Sequence, residues 1–217
     1  MTSDKKNLVR RWLLLLVGLT IMAFGVAFSI KASLGTSPIS SVPYIISLFS
    51  PLTVGVATIC MHVVFILMQI LILRKNFEWI QLLQLPVAFV FGFLIDLAMW
   101  VLAGLSPSGY LQQWGLCILG ILLVGIGVDF EVSAKVVTLA GEGLVLALCQ
   151  VLPIRFPAMK ITFDVSLVAL AVVLSLIFTG HIAGIREGTV AAAVFVGLTA
   201  KAAHRLIHRA PAADPGA

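Results

Sequence analysis

Asp129 and Glu131 stand two residues apart, at the end of a run that is apolar from Ile118 to Val128. A charge at a helix centre in the bilayer costs about 3 kcal/mol or more, so ionisable residues there are candidates for moving a proton or holding a cation. On a helix, residues two apart point about 200° from each other, so the two carboxyls do not both face lipid. The structural alternative pairs Glu131 with Lys135 one turn later and gives Asp129 a backbone donor. Lys31 and Lys135 mark the starts of two short apolar segments. Each either neutralises an anionic solute or snorkels to the interface. Thr36, Ser37, Ser40 and Ser41 open the first short segment, and Thr138 and Glu142 hold the matching place in the second. Helix N-termini attract anions through their free N–H groups, and half-helix ends frame the substrate in transporters with broken helices. Hydroxyls that only cap the helix are the alternative. Glu142 argues against a purely anionic ligand. These ten residues are the candidate substrate contacts.

Other polar residues read more simply. Asp164 follows Lys160 by four, which predicts a local ion pair, and Glu187 adjoins Arg186. Asp96 falls near the outer end of an apolar run, at the interface. His62 sits in the middle of another, as a hydrogen-bonded packing residue or a proton relay. Cys60, Cys117 and Cys149 have no metal-ligand spacing and read as small buried hydrophobes. There is no His-Glu-x-x-His, no phosphate-binding glycine loop and no Gly-x-Ser-x-Gly. The reading is therefore not an enzyme, with no catalytic residues, no metal and no cofactor.

Hydrophobic residues make up 61% of the 217-residue chain and charged residues 11%, with mean hydropathy +1.15. Soluble domains carry about 25% charged residues, so this is an integral membrane protein. The net charge of +5 lies mostly at the chain ends and serves as a topology signal, with no nucleic-acid partner. The run from Leu13 to Ile30 is too long for a signal peptide and reads as a retained span. Long apolar runs cover 12–30, 53–73, 80–103, 114–132, 162–180 and 188–203. The segments 36–49 and 137–152 are too short for a span of about 20 residues and read as re-entrant or broken helices. With six spans, only Lys31 and Arg186 face outside, as the positive-inside rule favours. Eight spans would also put Arg74, Lys75 and Lys135 outside. Trp12, Trp79, Trp100 and Trp114 fall near span ends.

Residues 25–36 and 127–138 match at five of twelve positions at an offset of 102: Gly25/Gly127, Val26/Val128, Phe28/Phe130, Ala32/Ala134 and Thr36/Thr138. A fainter echo pairs Ala88 with Ala193 and Gly92 with Gly197. Three spans per copy is odd, so the second copy enters from the opposite face. The expected fold is all-α and polytopic, with six transmembrane helices in an inverted 3+3 repeat and one short re-entrant helix per half. Its segments are a basic cytoplasmic N-terminus (1–11), a first repeat (12–103), an external loop (104–113), a second repeat (114–203) and a cytoplasmic tail (204–217).

Leu34-Gly-Thr-Ser-Pro-Ile-Ser-Ser41 and Gly184-Ile-Arg-Glu-Gly-Thr189 give the chain a form that resembles the bacterial YczE/YyaS/YitT group of small integral membrane proteins. Ala140 departs from the pattern, standing where Pro38 predicts a second proline. The resemblance implies a multi-pass bacterial inner-membrane protein and supplies no substrate. Internal duplication is common in secondary transporters. The leading expectation is a transporter or facilitator of a small polar solute, in contact with the lipid bilayer, with a homodimer left open. A non-transporting accessory subunit of an exporter or membrane-associated enzyme is the alternative.

Overall fold

The computed structural model describes residues 2–207, and the side chains of 7–206. His208 and Arg209 of the expected basic tail, and the side chains of Lys5 and Lys6, lie outside the described residues. Eight helices are described: α1 (Thr2–Lys31), α2 (Pro38–Phe49), α3 (Val54–Leu73), α4 (Gln84–Val101), α5 (Tyr110–Ala134), α6 (Ala140–Val151), α7 (Phe156–Thr179) and α8 (Glu187–Ile207). Two 3-10 turns, Arg74–Asn76 and Trp79–Leu83, join α3 to α4.

Five stretches are long and apolar enough to cross a membrane: Asn7–Lys31, Val54–Asn76, Trp79–Val101, Tyr110–Ala134 and Phe156–Thr179. The expected sixth, α8, has 21 residues and so the length, but Glu187 at its start and Lys201, His204 and Arg205 near its end make it less apolar. The short helices α2 and α6 have 12 residues each. At 1.5 Å per residue that is about 18 Å, against a hydrocarbon core of about 30 Å. Trp12, Trp79 and Trp100 are exposed near span ends. Of the cysteines, only Cys117 is buried; Cys60 faces outward on α3, and Cys149 is half-buried.

The helices form two groups. Leu15, Leu19 and Met22 of α1 pack with Phe91 and Ile95 of α4 and Val124 of α5; α8 lies against the far side of α5. Val42 and Ile45 of α2 pack with Met61 and Phe65 of α3, Leu144 of α6, and Phe163 and Leu167 of α7. The tie between the groups is α3 on α4, where Gly55 and Gly92 let the backbones touch. Asp96 secures this tie: its carboxylate accepts hydrogen bonds from Gly55 N (2.8 Å) and Thr53 Oγ1 (2.6 Å). It caps the positive end of α3, a bonded role that its interfacial position does not predict. The corresponding neighbours of the second half, α7 and α8, barely touch.

The largest helix contact is between α1 and α5. A Cβ on Gly25 would lie 2.7 Å from Val124 N and 2.9 Å from Gly120 O, and one on Gly127 would lie 2.7 Å from Gly18 O. Only glycine admits that approach. Gly18 meets Gly127 and Gly25 meets Gly120, so numbering rises along one helix as it falls along the other. The two helices are antiparallel.

Candidate functional site

Between the two groups lies a cavity of about 220 Å³. One wall is apolar: Met22 and Val26 of α1, Phe91 of α4, Val124 and Val128 of α5, and Ala192 and Val196 of α8. The other wall carries Ser37 and Ser40 at the start of α2, Thr58 and His62 of α3, Glu142 at the start of α6, and Lys160 and Asp164 of α7. Glu131, from the end of α5, also lines the cavity.

The lining pairs up at the offset of 102. Met22 and Val124, Val26 and Val128, Ser37 and Leu139, Ser40 and Glu142, Thr58 and Lys160, and His62 and Asp164 are all such pairs, and all twelve residues face the cavity. Gly18 and Gly120, and Gly25 and Gly127, stand in the same relation. So do Ile39 and Gly141, which meet where α2 and α6 begin. The two halves differ in chemistry. Where the first half offers Ser40, Thr58 and His62, the second offers Glu142, Lys160 and Asp164.

Each short helix starts in its own way. Pro38 occupies the first turn of α2, where a missing N–H costs nothing because that position has no helical partner. Ser37 stands at the N-cap but takes no backbone N–H; its Oγ donates to Ser40 Oγ at 3.0 Å. In α6 the N-cap residue is Leu139, which has no side-chain oxygen. Glu131 supplies one from α5, accepting a hydrogen bond from Leu139 N at 2.6 Å. Glu131 therefore bonds to a backbone donor rather than to Lys135. Asp129 pairs instead with His204 of α8 (2.8 Å). Both acids are buried, Asp129 to 4% and Glu131 to 1% exposure, because α5 is covered by α1 on one side and α8 on the other.

Four of the ten candidate residues, Ser37, Ser40, Glu131 and Glu142, share the cavity. The other six stand elsewhere. Lys31 donates to Ala103 O (3.3 Å). Lys135 is exposed in a left-handed turn (φ 51°) that ends α5. Ser41 is buried and donates to Ser37 O (3.0 Å). Thr36 is buried with its hydroxyl unpartnered among the described residues. Asp129 lies on the α8 side of α5. Thr138 lines a smaller hollow with Gln84 and Gly143. Lys160 and Asp164 form the expected i, i+4 ion pair at 2.9 Å, and the pair faces the cavity, which its local sequence does not reveal. A buried amide pair also escapes the sequence reading: Gln69 donates to Gln84 Oε1 (3.0 Å) and to Ala140 O (3.1 Å), fixing the start of α6. The one sequence signal that ties His62, Lys160 and Asp164 to a common site is the repeat offset itself.

The first residues of one short sequence motif, ahead of those that line the cavity, meet the other motif. Arg186 donates to Ser33 O (3.2 Å) and pairs with Glu187 (3.1 Å), while Gly188 N donates to Leu34 O (2.8 Å). Gly35 holds φ 100° against Thr189, where a Cβ would collide with the threonine hydroxyl. Tyr110 Oη reaches Glu187 at 3.4 Å. This junction joins the α1–α2 turn to the start of α8.

A bundle of long apolar helices around a partly charged internal cavity defines a multi-pass α-helical membrane protein. Residues 9–205 match the Family of unknown function (DUF6198), and the chain belongs to that family. It is 29% identical over 168 residues to Uncharacterized protein YyaS of Bacillus subtilis (strain 168), covering 76% of this chain and 80% of that one. It is 33% identical over 131 residues to Uncharacterized membrane protein YczE of the same organism, covering 60% of this chain and 59% of that one. No solved structure matches.

Proposed function

We propose that this protein is a secondary transporter or facilitator that carries a small solute across the bacterial inner membrane by alternating access. The carrying observation is the cavity, placed where the N-termini of two short helices converge and lined by residues that pair at the repeat offset. Binding at the interface of inverted repeats, between broken helices, is the usual plan of such carriers.

In this reading α1–α4 and α5–α8 are inverted copies. The antiparallel crossing of α1 and α5 supports it. Crossings by α1, α3 and α4 reverse the chain's direction before α5, whereas a fourth by α2 would restore it. The short helices are then re-entrant, and both termini are cytoplasmic. The packing follows the same exchange: α1 on α4 answers α5 on α8, and α2 on α7 answers α6 on α3. The contact of α3 with α4 has no full counterpart between α7 and α8. The two helix groups therefore rock about the α3–α4 tie, and the α7–α8 side opens and shuts. The Arg186 junction is the closed outer gate.

Purified protein in proteoliposomes tests this directly. Solute counterflow by the protein alone is the expected result. No flux of any solute, together with a stoichiometric co-purifying partner, would favour an accessory subunit.

A further inference from the structure

We propose that the solute in this cavity is a monovalent organic cation, an amine or quaternary ammonium with a compact apolar body, and that it takes the place of a proton on Glu142. This assignment rests on the transport reading. Five titratable groups face the cavity: His62 of α3, Glu131 of α5, Glu142 of α6, and Lys160 and Asp164 of α7. The lining residues of α1, α2, α4 and α8 bring none. Lys160 is engaged by Asp164 at 2.9 Å, so that pair is neutral and the one lysine on the cavity is committed. Glu131 has one oxygen held by Leu139 N. Glu142 makes no direct hydrogen bond or salt bridge among the described residues; the Lys160 ammonium acts on it only through space and is offset by Asp164.

A carboxylate whose nearest cation is already paired with another carboxylate is strongly disfavoured beside apolar walls. Glu142 therefore holds either a proton or a cation supplied by the ligand. A second observation points the same way. His62 is 1% exposed, lines the same cavity, and has an Nδ1 with no hydrogen-bond partner. A buried nitrogen left without a partner marks a place for a polar group that the described residues do not supply. An anion would face two carboxylates and a lysine already paired. The facing wall of Met22, Phe91, Val124 and Val128 suits an alkyl or aryl body.

The exchange balances. As the cation binds, the Glu142 O–H bond breaks and its proton goes to water on the side where the cavity is open. As the cation leaves on the other side, water there returns one proton to Glu142. One cation crosses for each proton moved the other way.

One carbon frame in three charge states tests the assignment: benzyltrimethylammonium, benzyl alcohol and benzoate, each titrated into the purified full-length protein in detergent. The ammonium ion should bind best, release about one proton per ion in weakly buffered solution, and tighten about tenfold per pH unit while Glu142 is protonated. Glu142→Gln should weaken binding at least tenfold and remove the pH dependence, and Glu142→Asp should restore both in part. Should Glu142→Gln fail to fold, the proton release of the unmodified protein decides alone. Preference for benzoate, no binding of the ammonium ion, binding without proton release, or full affinity in a folded Glu142→Gln protein would each overturn the proposal. Vesicle flux separates this idea from the one beneath it. Proton-linked ammonium binding without counterflow would refute transport and leave the cation site intact. Counterflow of benzoate without ammonium binding would do the reverse.

Discussion

Replacing Glu131 separates a structural carboxylate from a merely buried one. Its oxygen lies 2.6 Å from Leu139 N, with the side chain 1% exposed, at the start of a helix with no other side-chain cap. A buried hydrogen bond of this kind contributes about 0.5–1.5 kcal/mol net, and a buried N–H left without an acceptor costs about 1–3 kcal/mol. Glu131→Gln keeps an acceptor of nearly the same shape and should lose at most about 1 kcal/mol. Glu131→Leu removes the acceptor and leaves a buried N–H unsatisfied, for a loss of about 3 kcal/mol. At about 2–4 °C per kcal/mol for a chain of this size, the shifts are at most about 2–4 °C for Gln and about 6–12 °C for Leu. The assay is the temperature at which half of the detergent-solubilised protein stays monodisperse. Equal losses in the two variants, or none in the leucine variant, would refute the capping role. Flux through the folded Gln variant then reports separately whether the titratable carboxyl takes part in transport.

Topology is open to cysteine labelling in a cysteine-free background: Ser108→Cys should react from outside and Asn76→Cys should not. The reverse pattern would remove the inverted arrangement. Gly127→Ala should cost about 1–3 kcal/mol by overpacking the α1–α5 crossing, read as lost thermal stability. Gly115→Ala, with nothing within 4 Å of its added carbon, should gain up to about 1 kcal/mol from helix propensity. Ser40→Leu, Glu142→Leu and Asp164→Leu should all weaken solute binding, because the three residues line one cavity. Normal affinity in all three would place the site elsewhere. Asp129→Asn should lower stability while leaving binding near normal, since Asp129 pairs with His204 rather than facing the cavity; lost binding in a stable protein would contradict that.

Composition alone settles that the chain lives in a membrane, because so few charges cannot keep so much apolar surface in water. Run lengths mark out six long segments and two short ones, and five of the six are long and apolar enough to cross, since a span must match the hydrocarbon thickness whatever it packs against. The Lys160–Asp164 pair is legible too, because an i, i+4 contact is built into one helix. Glycine identities at the offset of 102 hint at duplication but cannot show that each glycine packs against its partner's neighbour, seven residues away. That required the α1–α5 crossing. Nor could the sequence divide its polar residues between cavity and scaffold. Glu131 and Lys135 are one turn apart, yet α5 ends at Lys135 and the chain doubles back to place Leu139 N at the carboxylate. Asp129 turns to α8, Lys31 to a carbonyl of the α4 terminus, and Asp164 to the cavity. A helix's own periodicity says which residues share a face; only the neighbours packed against that face decide whether it meets protein, lipid or a ligand.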